Sequence, residues 1–293
     1  MRMFRVIALV LIFLASYTNV PGNPVRSNSS INDNIINLKY PIVLVHGIFA
    51  HDRRSLIDFW GRIPNILRNK GIEVFFGNTD AWGSIESNAM ILKSTIDNVL
   101  LETNSEKVNI IAHSKGGIDS RYFIWRYDYG EKVASLTTIS TPHHGAELAD
   151  LIYSKKIVHT NTTRKAAQIV GELWGDAYPD MYNLNYQLTT EKMQEFNEKV
   201  VMDPSVYYQS IYSTMKNAFG DMMFFNSFLY IRKINGANDG VVSEVSSIWG
   251  DNIIKFEGLS HAEIVDYKKR KISGIDIPEI YLNIVRDLSA RGF

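Results

Sequence analysis

One serine lies between an apolar, β-branched run and a helix-like segment that begins with glycines. The run Asn109–Ala112 predicts a buried strand, and Ser114 follows it closely. A serine on a tight turn from a strand into a helix presents its hydroxyl group, and the residues two before and two after it must be small. Ala112 and Gly116 meet that condition. We predict that Ser114 is a nucleophile, although a chance small-x-Ser-x-Gly pattern in an ordinary β-turn-α unit is the alternative.

An earlier strand ends in a glycine loop of the kind that acyl transfer needs. Ile42–Val45 is apolar and is followed by His46, Gly47 and Ile48. The oxyanion of an acyl-transfer intermediate requires backbone N–H donors, one after the nucleophile and one from an early strand-helix loop. We therefore expect the N–H groups of Ile48 and Lys115 to be those donors, with His46 holding the loop. Any buried parallel strand with a glycine turn is the alternative.

The general base must follow both the serine and an acid along the chain, because each lies after a later strand of the same sheet. Of the seven histidines, His261 satisfies that order. It follows the apolar run Ile253–Phe256, so a loop at a strand end is its expected position. A surface histidine in a polar loop is the alternative interpretation.

The acid is expected in a turn rich in Gly and Asn. Tyr230–Ile234 is interpreted as a strand, which would place Asp239 at a strand end. Asp in such a turn commonly caps backbone N–H groups, and this is its alternative role. Asp251 and Glu257 compete because they are nearer to His261 in sequence. Asp251, however, precedes its strand and would fall at the opposite end of the sheet.

Several blocks in order resemble the bacterial true lipases of the secreted α/β-hydrolase type, over roughly residues 38 to 270. The resemblance implies an α/β fold of α/β-hydrolase type with a helical cap or lid. It also implies that Ser114 is the nucleophile, Asp239 the acid and His261 the base, with Ile48 and Lys115 as oxyanion donors. The matching blocks are Tyr40–Gly47, Ala112–Gly117, Thr141–Asp150, Leu188–Glu191, Glu195–Asn197, Asn238–Ser243 and Ser260–His261.

The chain departs from that family at three points. Lys115 stands where an uncharged residue is usual, so its ammonium group is expected to alter which acyl or head groups are accepted. The family often binds a structural calcium through two aspartates, and the nearest matches are Asp221 and Glu263. Calcium tolerates flexible oxygen ligation, so a site there is an expectation, with solvated carboxylates as the alternative. No cofactor is required for the chemistry, and without cysteine no disulfide forms.

The N-terminus has the pattern of an export signal. Arg2 and Arg5 precede the apolar run Val6–Ala15. This run is shorter than the roughly 20 residues that span a bilayer, but it suits the apolar region of a signal peptide. We therefore expect a signal peptide over 1–20, cleaved between 15 and 20, a polar segment over 21–37 and secretion. A buried strand or an uncleaved membrane anchor is the alternative.

The rest of the chain, 38–293, is predicted to form an α/β-hydrolase domain. Apolar runs predict strands alternating with helices, which indicates a mostly parallel sheet covered by helices. A cap is expected at about 150–204, and a second apolar segment at about 215–228. The predicted strands are 42–45, 72–76, 108–112, 135–140, 205–212, 229–234 and 252–256, and the predicted helices include 55–70, 88–101 and 117–127.

These features together predict a serine hydrolase of carboxylic esters. The 31 basic and 31 acidic residues cancel, so no global field favours nucleic acid or an anionic membrane. No nucleotide-binding motif occurs. The preferred interpretation is a secreted lipase that acts on acylglycerols at a lipid-water interface. A carboxylesterase or thioesterase for soluble short-chain substrates is the alternative, followed by a non-catalytic binding protein of the same fold. Oligomeric state is not indicated.

Overall fold

Parallel β-strands form the centre of the protein. The computed structural model describes residues 35–48, 59–250 and 252–293. Across these ranges one sheet has six parallel strands in the order β2-β1-β3-β4-β5-β6. The strands are β1 Ile42–Val45, β2 Val74–Phe76, β3 Val108–His113, β4 Val133–Ile139, β5 Tyr207–Thr214 and β6 Asn252–Glu257.

Helices cover strand β1 on both sides because this strand is apolar on both faces. In β1, Ile42 and Leu44 belong to one buried cluster, which also contains residues of α1 and α10. Val43 and Val45 point the other way and belong to a second cluster with residues of α2 and α3. Successive side chains of a strand alternate in direction, so a fully apolar strand must be covered twice. The helices of the described ranges are α1 Ile63–Asn69, α2 Ile85–Thr103, α3 Lys115–Tyr127, α4 Glu147–Tyr153, α5 Asn161–Trp174, α6 Met181–Gln187, α7 Thr190–Lys199, α8 Phe225–Asn235, α9 Glu244–Ser247 and α10 Ile277–Ala290.

The sheet order creates the place for a site. The chain moves from β1 outward to β2 and then returns to the opposite side of β1 with β3. The helices that follow β1 and β3 pack on opposite faces of the sheet, and sheets of this kind bind their ligands at the carboxyl ends of the strands where this occurs. Gly47 lies after β1 and Ser114 lies after β3.

Four helices, α4 to α7, are inserted between β4 and β5, in the region where the sequence predicts the cap, and this name is kept for them below. Polar side chains begin three of them: Thr160, Asp180 and Thr189 each accept a backbone N–H at a helix N-terminus. The buried side of the cap is a small apolar cluster that also includes Ile85 and Ile118 from helices that cover the sheet. The remaining members are Ala146, Ala149, Leu184, Leu188 and Met193.

One predicted strand is wrong. Residues 229–234 are helical and lie within α8. Phe228 and Ile231, three residues apart, are buried, whereas Leu229 and Ile234 are exposed. This is the period of a helix, and a short apolar run does not distinguish it from a strand. The other predicted strands overlap β1 to β6, with boundaries that differ by up to two residues.

The predicted signal peptide over 1–20 lies outside the described residues, as do most of the polar segment and Asp251. Within the described ranges, no helix has the length and apolar character needed to cross a bilayer.

Candidate active site

Ser114 occupies a backbone conformation that few non-glycine residues adopt. Its φ is 54° and its ψ is −130°, between the end of β3 and the start of α3. The strain is tolerated because the surroundings fix it: the Ser114 N–H donates to the Ile139 carbonyl at 2.8 Å. A Cβ on Gly116 would lie 2.4 Å from the His46 carbonyl oxygen, so glycine is required where α3 passes β1. The sequence argument for small residues around Ser114 thus has a direct steric cause.

The structure brings the three predicted chemical residues together. His261 Nε2 lies 3.0 Å from Ser114 Oγ, and His261 Nδ1 lies 2.7 Å from Asp239 Oδ2. All three residues are buried, with the largest exposure, 8%, at His261. The His261 N–H also donates to the Asp239 carbonyl at 2.9 Å, so backbone and side chain both connect these two residues. A hydroxyl, an imidazole and a carboxylate in this order form a proton-transfer chain.

The elements that position Asp239 differ from those that the sequence predicts. The residues before it form α8 rather than a strand, and its loop is attached to the end of β5. The Met215 N–H donates to the Asn238 carbonyl at 2.8 Å. Asp239 Oδ1 accepts from the N–H groups of Val241 and Val242, at 2.9 and 2.8 Å. One carboxylate oxygen therefore caps the turn while the other contacts the histidine, so the two proposed roles are compatible.

The competing acid Glu257 is positioned differently. Its side chain is 68% exposed and lies 3.7 Å from the Lys255 ammonium. Asp239 already contacts the ring nitrogen that an acid would have to engage.

The loop after β1 lies directly against the serine. A Cβ on Gly47 would be 2.7 Å from Ser114 Cβ and 3.3 Å from Ser114 Oγ, which puts the backbone of this loop beside the hydroxyl. The His46 ring contacts the Gly47 and Thr79 carbonyl oxygens, at 2.7 and 2.9 Å. His46 thereby holds the loop. Ile48, the next residue, packs against the apolar cluster under the cap.

Lys115 has a backbone and a side chain with separate environments. It is the first residue of α3, and the first N–H groups of a helix have no acceptor within the helix. Its ammonium is buried and lies 2.7 and 2.8 Å from the two carboxylate oxygens of Asp119. The charge is therefore paired inside the protein, and its effect on which acyl or head groups are accepted stays a prediction. The Asn88 side-chain amide also donates to the Asp119 carboxylate, at 2.8 Å.

His113 was not identified from the sequence. Its Nε2 lies 3.0 Å from the His261 carbonyl oxygen, and the two rings lie with centroids 4.5 Å apart. Burial, together with the neighbouring His261, holds the pKa of His113 well below its usual value, so the ring is neutral and donates from Nε2. It therefore orients the backbone of His261. A histidine at the end of a mostly apolar strand was the available signal.

The segment after His261 is anchored at two positions. Asp266 accepts from Arg62 through both carboxylate oxygens, at 2.9 Å from Nε and 2.7 Å from Nη2. Asp221 and Glu263, the expected calcium ligands, lie on either side of the Lys268 ammonium, at 3.3 and 2.6 Å. In the described part of the chain, no group of three or more His, Cys, Asp or Glu side chains could hold a metal ion.

Comparisons with known proteins place this chain in a family. A family model described as palmitoyl protein thioesterase matches residues 41–255. Triacylglycerol lipase 2 of Saccharomyces cerevisiae is 30% identical over 261 residues, which cover 81% of this chain and 75% of that protein.

Two solved structures share the fold. The mature form of a Bacillus licheniformis lipase has a TM-score of 0.65 at 22% identity, covering 90% of this chain and 96% of that one. A metagenomic carboxyl esterase has a TM-score of 0.74 at 16% identity, covering 93% and 82%. The chain therefore belongs to the palmitoyl protein thioesterase family, and it is a carboxylic ester hydrolase of the α/β-hydrolase fold, similar to triacylglycerol lipases.

Proposed function

We propose that the protein hydrolyses carboxylic esters of lipids through an acyl-enzyme intermediate on Ser114. The observation that carries the proposal is the hydrogen-bonded line from Ser114 Oγ through His261 to Asp239, with distances of 3.0 and 2.7 Å. This line lies at the carboxyl ends of the strands, where an α/β sheet binds its ligands.

The reaction proceeds in two halves. His261 Nε2 accepts the Ser114 proton while Oγ attacks the ester carbonyl, and the imidazolium then gives that proton to the departing alcohol. Water attacks the acyl-enzyme in the second half, with His261 again as the base. Asp239 keeps the proton of neutral His261 on Nδ1 and stabilises the imidazolium. The N–H groups of Ile48 and Lys115 stabilise the tetrahedral oxyanion.

A lipid substrate is favoured by the surface of the cap. Ile169, Val170 and Leu173 of α5 are 55%, 41% and 84% exposed, and Tyr178 beyond that helix is 55% exposed. Apolar side chains grouped on one exposed helix are typical of surfaces that bind lipid. We therefore propose acylglycerols at a lipid-water interface as substrates, and secretion by the N-terminal signal as the route to them.

A thioester of a long acyl chain is the second candidate, and the match to the palmitoyl protein thioesterase model favours it. The same serine, histidine and acid serve both reactions, because thiolate and alkoxide leaving groups depart from the same type of tetrahedral intermediate. The leaving group therefore distinguishes the two candidates. A soluble short-chain ester remains the third candidate, and it needs no exposed apolar surface.

The test compares wild type and Ser114→Ala on emulsified triacylglycerol, on soluble p-nitrophenyl esters of increasing acyl length and on palmitoyl-CoA. We expect wild type to hydrolyse the emulsion and Ser114→Ala to be inactive while it retains the circular dichroism spectrum of wild type. Activity confined to palmitoyl-CoA supports the thioesterase, and activity confined to short soluble esters supports the esterase. Substantial Ser114→Ala activity would refute the assignment of the nucleophile.

A further inference from the structure

We infer that the ammonium group of Lys268 is an internal cation that holds the loop containing Ser260 and His261 against Asp221. It occupies the place where the resemblance to lipases predicts a calcium ion. The inference rests on the proposed function, in which His261 is the base. It makes Lys268 a positioning residue, since it acts on the reaction through the loop.

The contacts surround the residue just before His261. Ser260 Oγ donates to Asp221 Oδ2 at 2.8 Å, and the Ser260 N–H donates to Glu263 Oε2 at 2.9 Å. Lys268 Nζ lies 3.3 Å from the same Asp221 oxygen and 2.6 Å from Glu263 Oε1. Ser260 is thus held by two carboxylates, and Lys268 joins those two carboxylates to each other.

The Lys268 ammonium balances the negative charges of two buried carboxylates. The Asp221 and Glu263 side chains are only 6% and 4% exposed, whereas the Lys268 side chain is 21% exposed. Two carboxylates this close and this buried repel one another unless a positive charge lies between them. Lys268 supplies that charge from the surface, with its ammonium at the inner end of the side chain.

The donor set does not fit calcium. Calcium takes about 6–8 oxygen ligands at about 2.3–2.6 Å. All four carboxylate oxygens of the pair already accept protein donors, because Asp221 Oδ1 accepts from the Met223 N–H at 3.3 Å and the other three contact Ser260 or Lys268. A calcium ion would have to displace the ammonium, and within the described residues no third His, Cys, Asp or Glu side chain joins these two carboxylates to hold it.

A second anchor makes the effect of Lys268 specific to one part of the loop. Asp266, two residues before Lys268, is fixed independently by Arg62. Loss of the ammonium therefore frees the stretch around Ser260 and His261 without releasing the whole segment. A displaced base slows proton transfer, whereas the surface that binds the acyl chain is unchanged.

The experiment uses the full chain as wild type, Lys268→Ala and Lys268→Arg, with the exposed Lys271 changed to Ala as the matched control. Melting temperature is measured without substrate, in calcium and in chelator. The kcat and KM for a soluble p-nitrophenyl ester are measured per folded molecule, with folding checked by near-ultraviolet circular dichroism.

We expect the melting temperature and kcat of wild type to be the same in calcium and in chelator. Lys268→Ala should lower kcat roughly 10- to 100-fold at unchanged KM, the size of effect that a misplaced catalytic group produces. Lys268→Arg should recover most of the kcat, because a guanidinium also bridges two carboxylates. Lys271→Ala should behave as wild type.

The inference would be overturned if chelator lowered the melting temperature of wild type. It would also be overturned if Lys268→Ala had the same kcat as wild type, or if Lys268→Arg lost as much kcat as Lys268→Ala. Failure of the proposed function gives a different result. In that case wild type and Ser114→Ala show the same activity, while the melting temperatures still test the ammonium bridge.

Discussion

The buried ion pair between Lys115 and Asp119 provides the most demanding test of this structure. The two side chains are 2% and 1% exposed, and the ammonium contacts both carboxylate oxygens. Lys115→Met keeps the backbone N–H that we propose as an oxyanion donor and removes only the charge. The variant therefore separates the role of this residue in stability from its role in catalysis.

The expected loss of stability in Lys115→Met follows from the Asp119 carboxylate, which remains buried without its partner. Removing one partner of a buried pair typically costs about 3–5 kcal/mol, because the other charge is left without compensation. Asn88 still donates to Asp119 at 2.8 Å, so we expect the lower end, about 3 kcal/mol. The double variant Lys115→Met with Asp119→Asn has no buried charge and retains an acceptor for Asn88. It should regain most of the loss and remain about 1 kcal/mol below wild type, the cost of leaving the amide NH2 group at position 119 without an acceptor.

The loss should also depend on pH. Burial raises the pKa of the Asp119 carboxyl, although the Lys115 ammonium opposes this effect. Without the ammonium the pKa rises further, whereas the unfolded chain keeps a carboxyl pKa of about 3.9. The folded variant then binds a proton that the unfolded chain does not, so its unfolding free energy falls as pH rises. The difference from wild type should therefore be larger at pH 8 than at pH 5.

Urea unfolding followed by tryptophan fluorescence, at both pH values, measures these differences. The matched control is Lys93→Met, which breaks an ion pair of the same i, i+4 spacing to Asp97 at 2.8 Å on the solvent side of α2. Exposed pairs contribute little, so the control should lose much less. The reasoning is refuted if Lys115→Met is as stable as the control, or if the double variant is no more stable than the single one. The kcat per folded molecule should remain that of wild type.

Two further substitutions test the site itself. Asp239→Asn should lower kcat about 10⁴-fold, because the imidazole loses the group that fixes its tautomer. The control Glu257→Gln should have the kcat of wild type. A wild-type kcat in the Asp239→Asn variant would show that the acid is another residue. Gly116→Ala places a methyl group 2.4 Å from the His46 carbonyl oxygen and should lower both melting temperature and kcat, whereas Gly220→Ala meets no atom closer than 3.3 Å and should be tolerated. Equal melting temperatures for the two glycine variants would contradict the close packing of α3 on β1.

Asp239 lies beside His261, but the element that precedes it differs from the predicted one. The sequence placed this residue after a strand, and the structure places it after α8 and beside the end of β5. The short apolar run before it was compatible with the period of a strand and with that of a helix. The order of serine, acid and histidine along the chain constrained the choice more strongly, since it depends on how successive strands join the sheet.

The sequence by itself determined the features that depend on local sterics. A serine flanked by Ala112 and Gly116 predicts a tight strand-to-helix turn, and Gly47 after an apolar strand predicts a loop that approaches it closely. The apolar strand β1 likewise determined that helices cover the sheet on both of its faces. In each case the physical cause lies within a few residues of the chain, where spacing and side-chain size are directly readable.

Only the tertiary structure decided where the charges lie. The sequence showed Lys115 as a cation beside the nucleophile, and folding buries it against Asp119. The sequence also offered Asp221 and Glu263 as calcium ligands, and folding brings them to Lys268, which is 47 residues beyond Asp221 along the chain. Electrostatic partners are set by distance and burial in space, and chain separation carries little information about either.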